Sequence, residues 1–163
     1  MKFAFACVVC SCFLCSLVGC RSDRVEWSYA SLADVKRADA GAQSWVPDDL
    51  LPANAHSIRI LGELSPSYEW GSFDFVPADS QAIVNSLRSV DVLPQSVKSV
   101  RNPRVSWWPS LLIGTLNVEK IRAAGFQLFA LEKPANSVDT TVFLFALDLS
   151  NGHGFFYSTY KSR

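Results

Sequence analysis

Arginine and tryptophan are concentrated in residues 101–109, and both residue types are well suited to molecular recognition. Arg101 and Arg104 precede the adjacent pair Trp107 and Trp108. Arginine and tryptophan are enriched at binding hot spots. Successive side chains of an extended chain point apart, so one indole can pack inward while the other stays at the surface. These four side chains are candidates for contact with a partner or ligand, although a packed loop that covers the sheet is the favoured interpretation.

The two histidines carry the side chains best suited to acid–base or metal chemistry near neutral pH. His56 precedes a predicted strand, and His153 lies between two glycines. The pair could hold a metal ion or supply a general base, but no third ligand follows at the spacing of a metal motif. Both could equally be ordinary polar loop residues. The sequence therefore predicts no metal site and no catalytic residue.

The sequence lacks the common motifs of enzymes and phosphate-binding sites. The chain has no G-x-S-x-G nucleophile elbow and no glycine-rich phosphate loop. Two carboxylate pairs, Asp48 with Asp49 and Glu63 with Glu69, could support acid–base chemistry, although such pairs are more often solvated or capping residues. We predict a protein that is not an enzyme and uses no cofactor. A Ser/His/Asp site assembled by the fold is the open alternative.

The composition is typical of one folded globular domain. The chain has 163 residues, of which 49% are hydrophobic, a content too high for a disordered chain. Its 15 basic and 15 acidic side chains cancel, which argues against a basic surface for nucleic acid. We therefore expect no nucleic-acid partner.

Three short helices are predicted from their end residues. Ser31 and Asp34 have the spacing of a capping box, which predicts a helix from about Leu32 to Ala40, closed by Gly41. The other two helices have similar signals. The second helix should begin at Pro77-Ala-Asp79, with Asp79 as its N-cap, and end before Pro94. Its buried side chains should be Ile83, Leu87 and Val90. The third helix should run over Val118–Ala124, with Asn117 as its N-cap and Gly125 at its end.

An aromatic β-hairpin is predicted from Ser57–Leu64 and the strand that begins at Tyr68. The aromatic residues of this second strand change parity near Gly71 and Ser72, and a β-bulge there would return them to one face. The aromatic residues concerned are Tyr68, Trp70, Phe73 and Phe75. Glu69 and Asp74 would then face water.

Further strands are predicted at Phe126–Lys133, Thr140–Leu149 and Phe155–Lys161. The first two are apolar on both faces, as central strands are. Strands cluster in consecutive hairpins without strand–helix alternation. We therefore predict an α+β fold, with a mostly antiparallel sheet of about five strands and two or three short helices packed on one face.

An apolar, cysteine-rich segment occupies the N-terminus. Phe3 to Val18 contains no charge and is shorter than the roughly 20 residues that a membrane span needs. All five cysteines lie within residues 1–20, and two C-x-x-C spacings taken alone resemble a zinc site. A charge-free apolar run is a poor setting for such a site, so a signal peptide is the favoured interpretation.

Leu17-Val-Gly-Cys20 resembles the lipobox of bacterial lipoproteins. The resemblance implies cleavage before Cys20, acylation of that cysteine and stable membrane anchoring by several acyl chains. The chain would divide into a signal peptide (1–19), the lipidated cysteine with a short tether (20–26) and a single globular domain (27–163). Arg21 replaces the aspartate that retains such proteins at the inner membrane, which implies the outer membrane, with the domain facing the periplasm.

The order of several short elements resembles a family of small, uncharacterised bacterial envelope lipoproteins. These elements are Tyr29-Ala-Ser-Leu-Ala-Asp34, Trp45-Val-Pro47, Leu51-Pro52, Ile58-Arg59, Phe73-Asp-Phe75, Pro77-Ala-Asp79, Trp107-Trp108-Pro109 and Ala124-Gly125-Phe126. We predict a lipid-anchored envelope protein with a non-enzymatic interaction or structural role. Its predicted partners are the membrane, which it contacts through acylated Cys20, and another envelope protein. The alternative is a small-ligand-binding or sensing domain that uses the aromatic loop 101–109.

Overall fold

The computed structural model describes residues 23–39, 50–63, 67–134 and 139–162. At the centre of these residues lies a seven-stranded antiparallel sheet, built from six long strands and one two-residue strand. The strands are β1 (Arg24–Ser31), β2 (His56–Glu63), β3 (Tyr68–Asp74), β4 (Arg88–Ser89), β5 (Ser99–Val100), β6 (Gly114–Thr115), β7 (Gln127–Pro134), β8 (Asp139–Asp148) and β9 (His153–Ser162). The order across the sheet is β1-β2-β3-β9-β8-β7-β4, and β5 pairs with β6 separately. The predicted α+β class is confirmed, but the predicted number of about five strands is too small.

Within the described residues, three short α-helices accompany the sheet: α1 (Leu32–Asp39), α2 (Ser80–Ser86) and α3 (Val118–Ala123). Single turns of 3-10 helix occur at Pro77–Asp79, Gln95–Val97 and Ser110–Leu112. None of the helices in the described ranges is both long and apolar enough to cross a membrane.

The beginning of α1 is fixed by the predicted capping box. The Ser31 hydroxyl donates to Asp34 Oδ2 at 2.8 Å, and the Asp34 N–H donates to Ser31 Oγ at 3.3 Å. The serine hydrogen bond holds the pKa of the Asp34 carboxyl below its usual value. Leu32 and Val35 on the inner side of the helix are buried. The predicted end at Ala40 and Gly41 lies outside the described residues.

The cap of α3 is confirmed, whereas α2 is shorter than predicted. Asn117 Oδ1 accepts the Lys120 N–H at 2.9 Å, as an N-cap side chain should. Asp79 occupies the N-cap position of α2 but makes no capping bond, because its carboxylate accepts the Asn54 amide instead. The chain becomes extended at Leu87 and continues as β4, which pairs with β7, so Val90 is not helical.

Apolar side chains cover both faces of the sheet. We call the face under α1 and α2 the α1 face; its core includes Ile58, Phe73, Phe145 and Phe156. We call the opposite face the loop face, because the irregular segment 93–116 and α3 cover it. Its core contains Trp70, Leu144 and Tyr157 from the sheet, together with Val97, Trp108, Leu112 and Ile121 from the cover. The prediction that all helices pack on one face is wrong, since Ile121 of α3 lies on the loop face.

The aromatic residues of β3 divide between the two faces. Trp70 packs on the loop face and Phe73 on the α1 face. The register of β3 with β9 is unbroken from Tyr68 to Asp74, so the predicted bulge at Gly71 or Ser72 is absent from this strand. The aromatic side chains of β3 can alternate between the two faces without a bulge, because both faces of the sheet are covered and each can bury aromatic rings.

The first strand begins within the segment predicted to be a tether. Residues 24–26 pair with β2, from Arg24 opposite Glu63 to Glu26 opposite Leu61. Trp27 and Tyr29 pack against the α1-face core, which explains why this alternating segment is a strand. The fold therefore starts before the predicted domain boundary at Trp27.

Candidate anion-binding site

A polar cleft of about 350 Å³ opens at one end of the loop face. We call it the arginine pocket; it is lined by Arg24, Glu63, Arg101, Asn102 and Arg104. Two of these residues come from the first two strands, and three come from the loop that follows β5. The pocket therefore exists only when the loop is folded against the sheet.

The sheet supplies the base of the arginine pocket. Arg24 lies opposite Glu63 on the neighbouring strand, and Glu63 lies opposite Tyr68 on the next. Residues paired in this way across antiparallel strands project from the same face. Tyr68 also packs against the rings of Trp70 and Tyr157, with both pairs of ring centroids 5.9 Å apart. This aromatic group supports the loop from below.

A hydrogen bond fixes the loop above that aromatic group. Trp70 Nε1 donates to the carbonyl oxygen of Arg101 at 3.0 Å. The Arg101 guanidinium then lies 5.8 Å from the centroid of the Tyr68 ring, and that of Arg24 lies 5.9 Å from Trp70. Both distances are within the range of cation–π attraction. Arginine–aromatic contacts thus orient two of the three cations.

The single carboxylate of the arginine pocket lies between two of its arginines. Glu63 Oε2 is 3.3 Å from Arg101 Nη1, and Glu63 Oε1 is 3.9 Å from Arg24 Nε. The Glu63 side chain is only 12% exposed, whereas that of Arg101 is 53% exposed. Arg101 can therefore contact Glu63 and still present donors to a ligand from solvent, since a guanidinium has five N–H groups.

Arg104 adds a third positive charge at the rim. Its backbone has φ +56°, and its N–H donates to Asn102 Oδ1 at 2.8 Å, which closes a tight turn. Arg104 is exposed, and no ion pair joins its side chain to another residue in the described part of the chain. Three arginines against one glutamate leave a net charge of about +2 in the cleft, because arginine stays protonated in proteins.

The two tryptophans predicted to contact a ligand have other roles. Trp108 is buried, donates from Nε1 to the Leu112 carbonyl at 3.2 Å and meets the Phe155 ring edge-on at 5.6 Å. It is a core residue, so a ligand contact for Trp108 is wrong. Trp107 is half-buried and donates from Nε1 to Glu26 Oε1 at 2.8 Å, which ties the loop to β1. The expectation that one indole is buried and the other is nearer the surface is confirmed.

Two of the predicted contact residues, Arg101 and Arg104, do come together in the cleft. Arg24 and Asn102 were not predicted to belong to a site, and Glu63 was predicted only as one member of a carboxylate pair. A local pattern could have indicated that Arg24 lies on a strand, because the segment that begins with it alternates between polar and apolar residues. Its position beside Arg101 depends on pairing between distant parts of the chain, which no local pattern reveals.

The histidines lie at the opposite end of the sheet. His56 and His153 both pair in register with Asp74, which lies on the strand between them. His153 Nδ1 contacts Asp74 Oδ1, whereas the exposed His56 has Nδ1 3.2 Å from the Asn54 carbonyl oxygen. In the parts of the chain that the structure describes, no serine hydroxyl bonds to either ring, and no group of three His, Cys, Asp or Glu side chains is arranged to hold a metal ion.

Glu63 and Glu69 do not act as a carboxylate pair, because they project from opposite faces of the hairpin. Glu69 is 4% exposed, accepts the Ser158 hydroxyl at 2.9 Å through Oε2, and leaves Oε1 without a hydrogen-bond partner among the described atoms. Burial raises the pKa of the Glu69 carboxyl to about 8. The expectation that Glu69 faces water is therefore wrong. The other pair, Asp48 with Asp49, lies outside the described residues, as do Cys20, Arg21 and the proposed signal peptide.

Comparison with known proteins gives one partial match. Residues 23–74, from the start of β1 to the end of β3, match the family model of the YbbD head domain, a bacterial family. This segment contains Arg24 and Glu63 but not the loop that carries the other arginines. No curated protein matches the chain. No solved structure matches it. Over the strands that form the base of the arginine pocket, the chain is thus similar to bacterial YbbD head domains.

Proposed function

We propose that this protein is a non-enzymatic binding domain of the bacterial cell envelope, anchored through lipid on Cys20, whose arginine pocket binds an anionic group. The observation that carries the proposal is the convergence of three guanidinium groups on one 350 Å³ cleft that contains a single carboxylate. Planar guanidinium groups match the oxygens of phosphate and carboxylate and can bind them with two parallel hydrogen bonds. The loop covers the sheet, and the cleft that it forms with β1 and β2 supports a ligand-binding role in addition.

The chemistry of the lining residues supports binding rather than catalysis. Arginine does not give up its proton in proteins, so it cannot act as a general base. Glu63 is held between Arg24 and Arg101. The remaining lining side chain is the amide of Asn102, which is neither nucleophile nor base. The lining residues can therefore hold and orient an anion, but they offer no group that would attack it.

Titration with inorganic phosphate tests the pocket. The protein from its native membrane fraction is purified in detergent, and the heat of phosphate binding is measured by calorimetry. We expect Arg101→Gln and Arg104→Gln each to weaken phosphate binding at least about tenfold, because each removes a charge-assisted contact. Arg37→Gln is the matched control: Arg37 on α1 has a 78% exposed side chain and pairs only with Asp34. Phosphate binding that survives the pocket variants, or is absent from the unchanged chain, would overturn the proposal.

The lipid anchor has its own test. The intact mass of the protein from its native membrane fraction should be that of a chain that begins at an acylated Cys20, and Cys20→Ala should lose the modification. A full-length, unacylated chain would overturn the anchor and reopen the question of the N-terminal cysteines.

A further inference from the structure

We infer that the anion bound by the arginine pocket is the phosphate of a membrane phospholipid, so that the pocket end of the loop face rests against the bilayer. This inference rests on the proposed function, since it takes the anion pocket and the acylated Cys20 as given. It adds the chemical source of the anion and the orientation of the domain on the membrane.

The length of chain between the anchor and the pocket is the first argument. Cys20 precedes Arg24 by four residues. Four residues of fully extended chain span at most about 14 Å. Arg24 is the first residue of β1 and also lines the arginine pocket. An acyl chain on Cys20 therefore keeps the pocket close to the layer of lipid headgroups.

The position of the cations is the second argument. Arg24 begins the strand and Glu63 ends its partner, so both lie at the end of the sheet where the anchor enters. Arg101 and Arg104 are exposed at the rim of the same cleft. Basic side chains are attracted to an anionic membrane by its negative surface potential. The positive end of the domain is thus the end that the short connection brings to the lipids.

Neighbouring apolar and aromatic side chains fit the same orientation. Val25, next to Arg24 on β1, is 41% exposed and projects from the α1 face at the same end of the sheet. Trp107 is half-buried and hydrogen-bonded to Glu26, close to the same strand end. Tryptophan and tyrosine favour the headgroup region of membranes, where one part of the ring is apolar and another is hydrated. Trp107 would rest against the headgroups beside the arginine pocket, and Val25 lies at the same end of the sheet on its other face.

Effective concentration distinguishes a lipid phosphate from a free one. Tethering converts the second binding event into an intramolecular one, and short linkers give effective concentrations in the millimolar range. The pocket is open and only partly desolvated, because Arg101 is 53% exposed. Such a site binds free phosphate measurably, but it is occupied far more fully by a phosphate that the anchor keeps within reach. Its lining is polar, which suits a headgroup and excludes an acyl chain.

The experiment uses the protein purified from its native membrane fraction, beginning at acylated Cys20, and reconstituted in vesicles of phosphatidylglycerol and phosphatidylcholine that carry a small amount of phospholipid with a photoreactive headgroup. After illumination, labelled residues are mapped by mass spectrometry. We expect labelling of residues 101–107 at least tenfold above labelling of α1, which lies on the other face of the sheet. Arg101→Gln combined with Arg104→Gln should reduce the labelling at least fivefold. Arg37→Gln, the matched control, should leave it unchanged, and Glu63→Gln should increase it.

Each other outcome has a definite meaning when phosphate calorimetry is run on the same preparations. Phosphate binding without preferential labelling of the loop would overturn the lipid assignment and leave the anion pocket standing. Loop labelling that the arginine substitutions do not change would also overturn the lipid assignment, because the tether alone would then explain why the loop lies near the lipids. Loss of both signals in the unchanged chain would remove the anion pocket and the lipid inference together.

Discussion

Two glutamates on one hairpin have opposite environments. Glu63 ends β2 on the loop face, where two arginines approach its carboxylate. Glu69 lies on β3 on the α1 face, where it is buried and receives one hydrogen bond, from Ser158. Tyr68 pairs with Glu63 and Gly62 pairs with Glu69, so the two carboxylates lie in adjacent rows of the same pair of strands.

The pleat of the sheet and the chain that covers each face explain the difference. Neighbouring positions on a strand point to opposite sides, so a shift of one residue moves a carboxylate from one environment to the other. On the loop face, the loop that carries Arg101 brings compensating charge. On the α1 face, Glu69 meets a glycine and a serine on the adjacent strands, and burial without a cation raises its pKa. The loop face of the hairpin therefore accommodates a charged carboxylate, whereas the α1 face favours a neutral carboxyl group.

The largest change in folding stability should come from replacing the buried acid Glu69. Burial raises the pKa of Glu69 to about 8 from an ordinary value of 4.5, so the folded state keeps a proton that the unfolded chain releases. The resulting stability is fully present below about pH 4.5 and is lost as the pH rises through about 8. We expect Glu69→Gln to raise the free energy of unfolding at pH 8 by on the order of 3 kcal/mol and to have little effect near pH 5.

Urea unfolding at several pH values measures this prediction, and Glu63→Gln is its control because it makes the same chemical change on the other face. A wild-type stability that falls between pH 5 and pH 8 no more steeply than that of Glu69→Gln would mean that Glu69 is ionised in the folded protein.

The next effect tests how closely the α1 face is packed beside Glu69. A Cβ on Gly71 would lie 2.0 Å from the nearest atom of the Phe156 ring, which is fully buried. We expect Gly71→Ala to lower the free energy of unfolding by about 2 kcal/mol, because overpacking forces rings and backbone to move. Gly62→Ala should cost less, since its Cβ would be 3.1 Å from the outer edge of the half-buried Trp27 ring. Equal costs, measured by chemical denaturation, would contradict the packing described for β3.

A smaller effect concerns the attachment of the loop to the sheet on the loop face. Trp107→Phe removes the hydrogen bond from Nε1 to Glu26 and keeps most of the aromatic area. We expect the free energy of unfolding to fall by about 1 kcal/mol, the usual net value of one such bond. Glu26→Gln retains an oxygen acceptor and should cost less. If Trp107→Phe leaves the thermal midpoint unchanged, this bond does not stabilise the loop on β1.

The smallest effect on stability should come from Glu63 itself. Glu63→Gln removes an ion pair whose arginine partner is half exposed, so we expect a change within about 1 kcal/mol. The same substitution removes the negative charge from the arginine pocket and should raise phosphate affinity about threefold, an effect that added salt reduces. Calorimetry at low and high salt measures both. A fall in phosphate affinity would mean that Glu63 positions the arginines rather than opposing the anion.

Elements with local signals were predictable from the sequence. Ser31 with Asp34, and Asn117, mark helix starts because their capping bonds span three residues. The hairpin of β2 and β3 and the strands β7, β8 and β9 were also predicted, because alternation and turn residues are local patterns. Their boundaries differ from the predicted ones by a few residues at most.

Features that depend on contacts between distant residues were not predictable in the same way. The bulge predicted near Gly71 assumed that aromatic residues must share one face, but the segment 93–116 covers the other face as well. Of the arginine pocket, Arg101 and Arg104 were identified by residue type. Arg24 was assigned to a tether, although the alternation of Val25, Trp27 and Tyr29 indicates a strand. Its role follows from pairing with β2, which the sequence does not specify.

The position of β1 also has a mechanical consequence. It is the outermost strand on its side of the sheet, and its first residue pairs with the last residue of β2. A force that pulls the N-terminal end of β1 sideways, away from β2, would load these backbone hydrogen bonds one after another rather than all at once in shear. The first pair to open would be Arg24 with Glu63, both of which line the arginine pocket. Tension would thus dismantle the pocket before it unfolded the rest of the sheet.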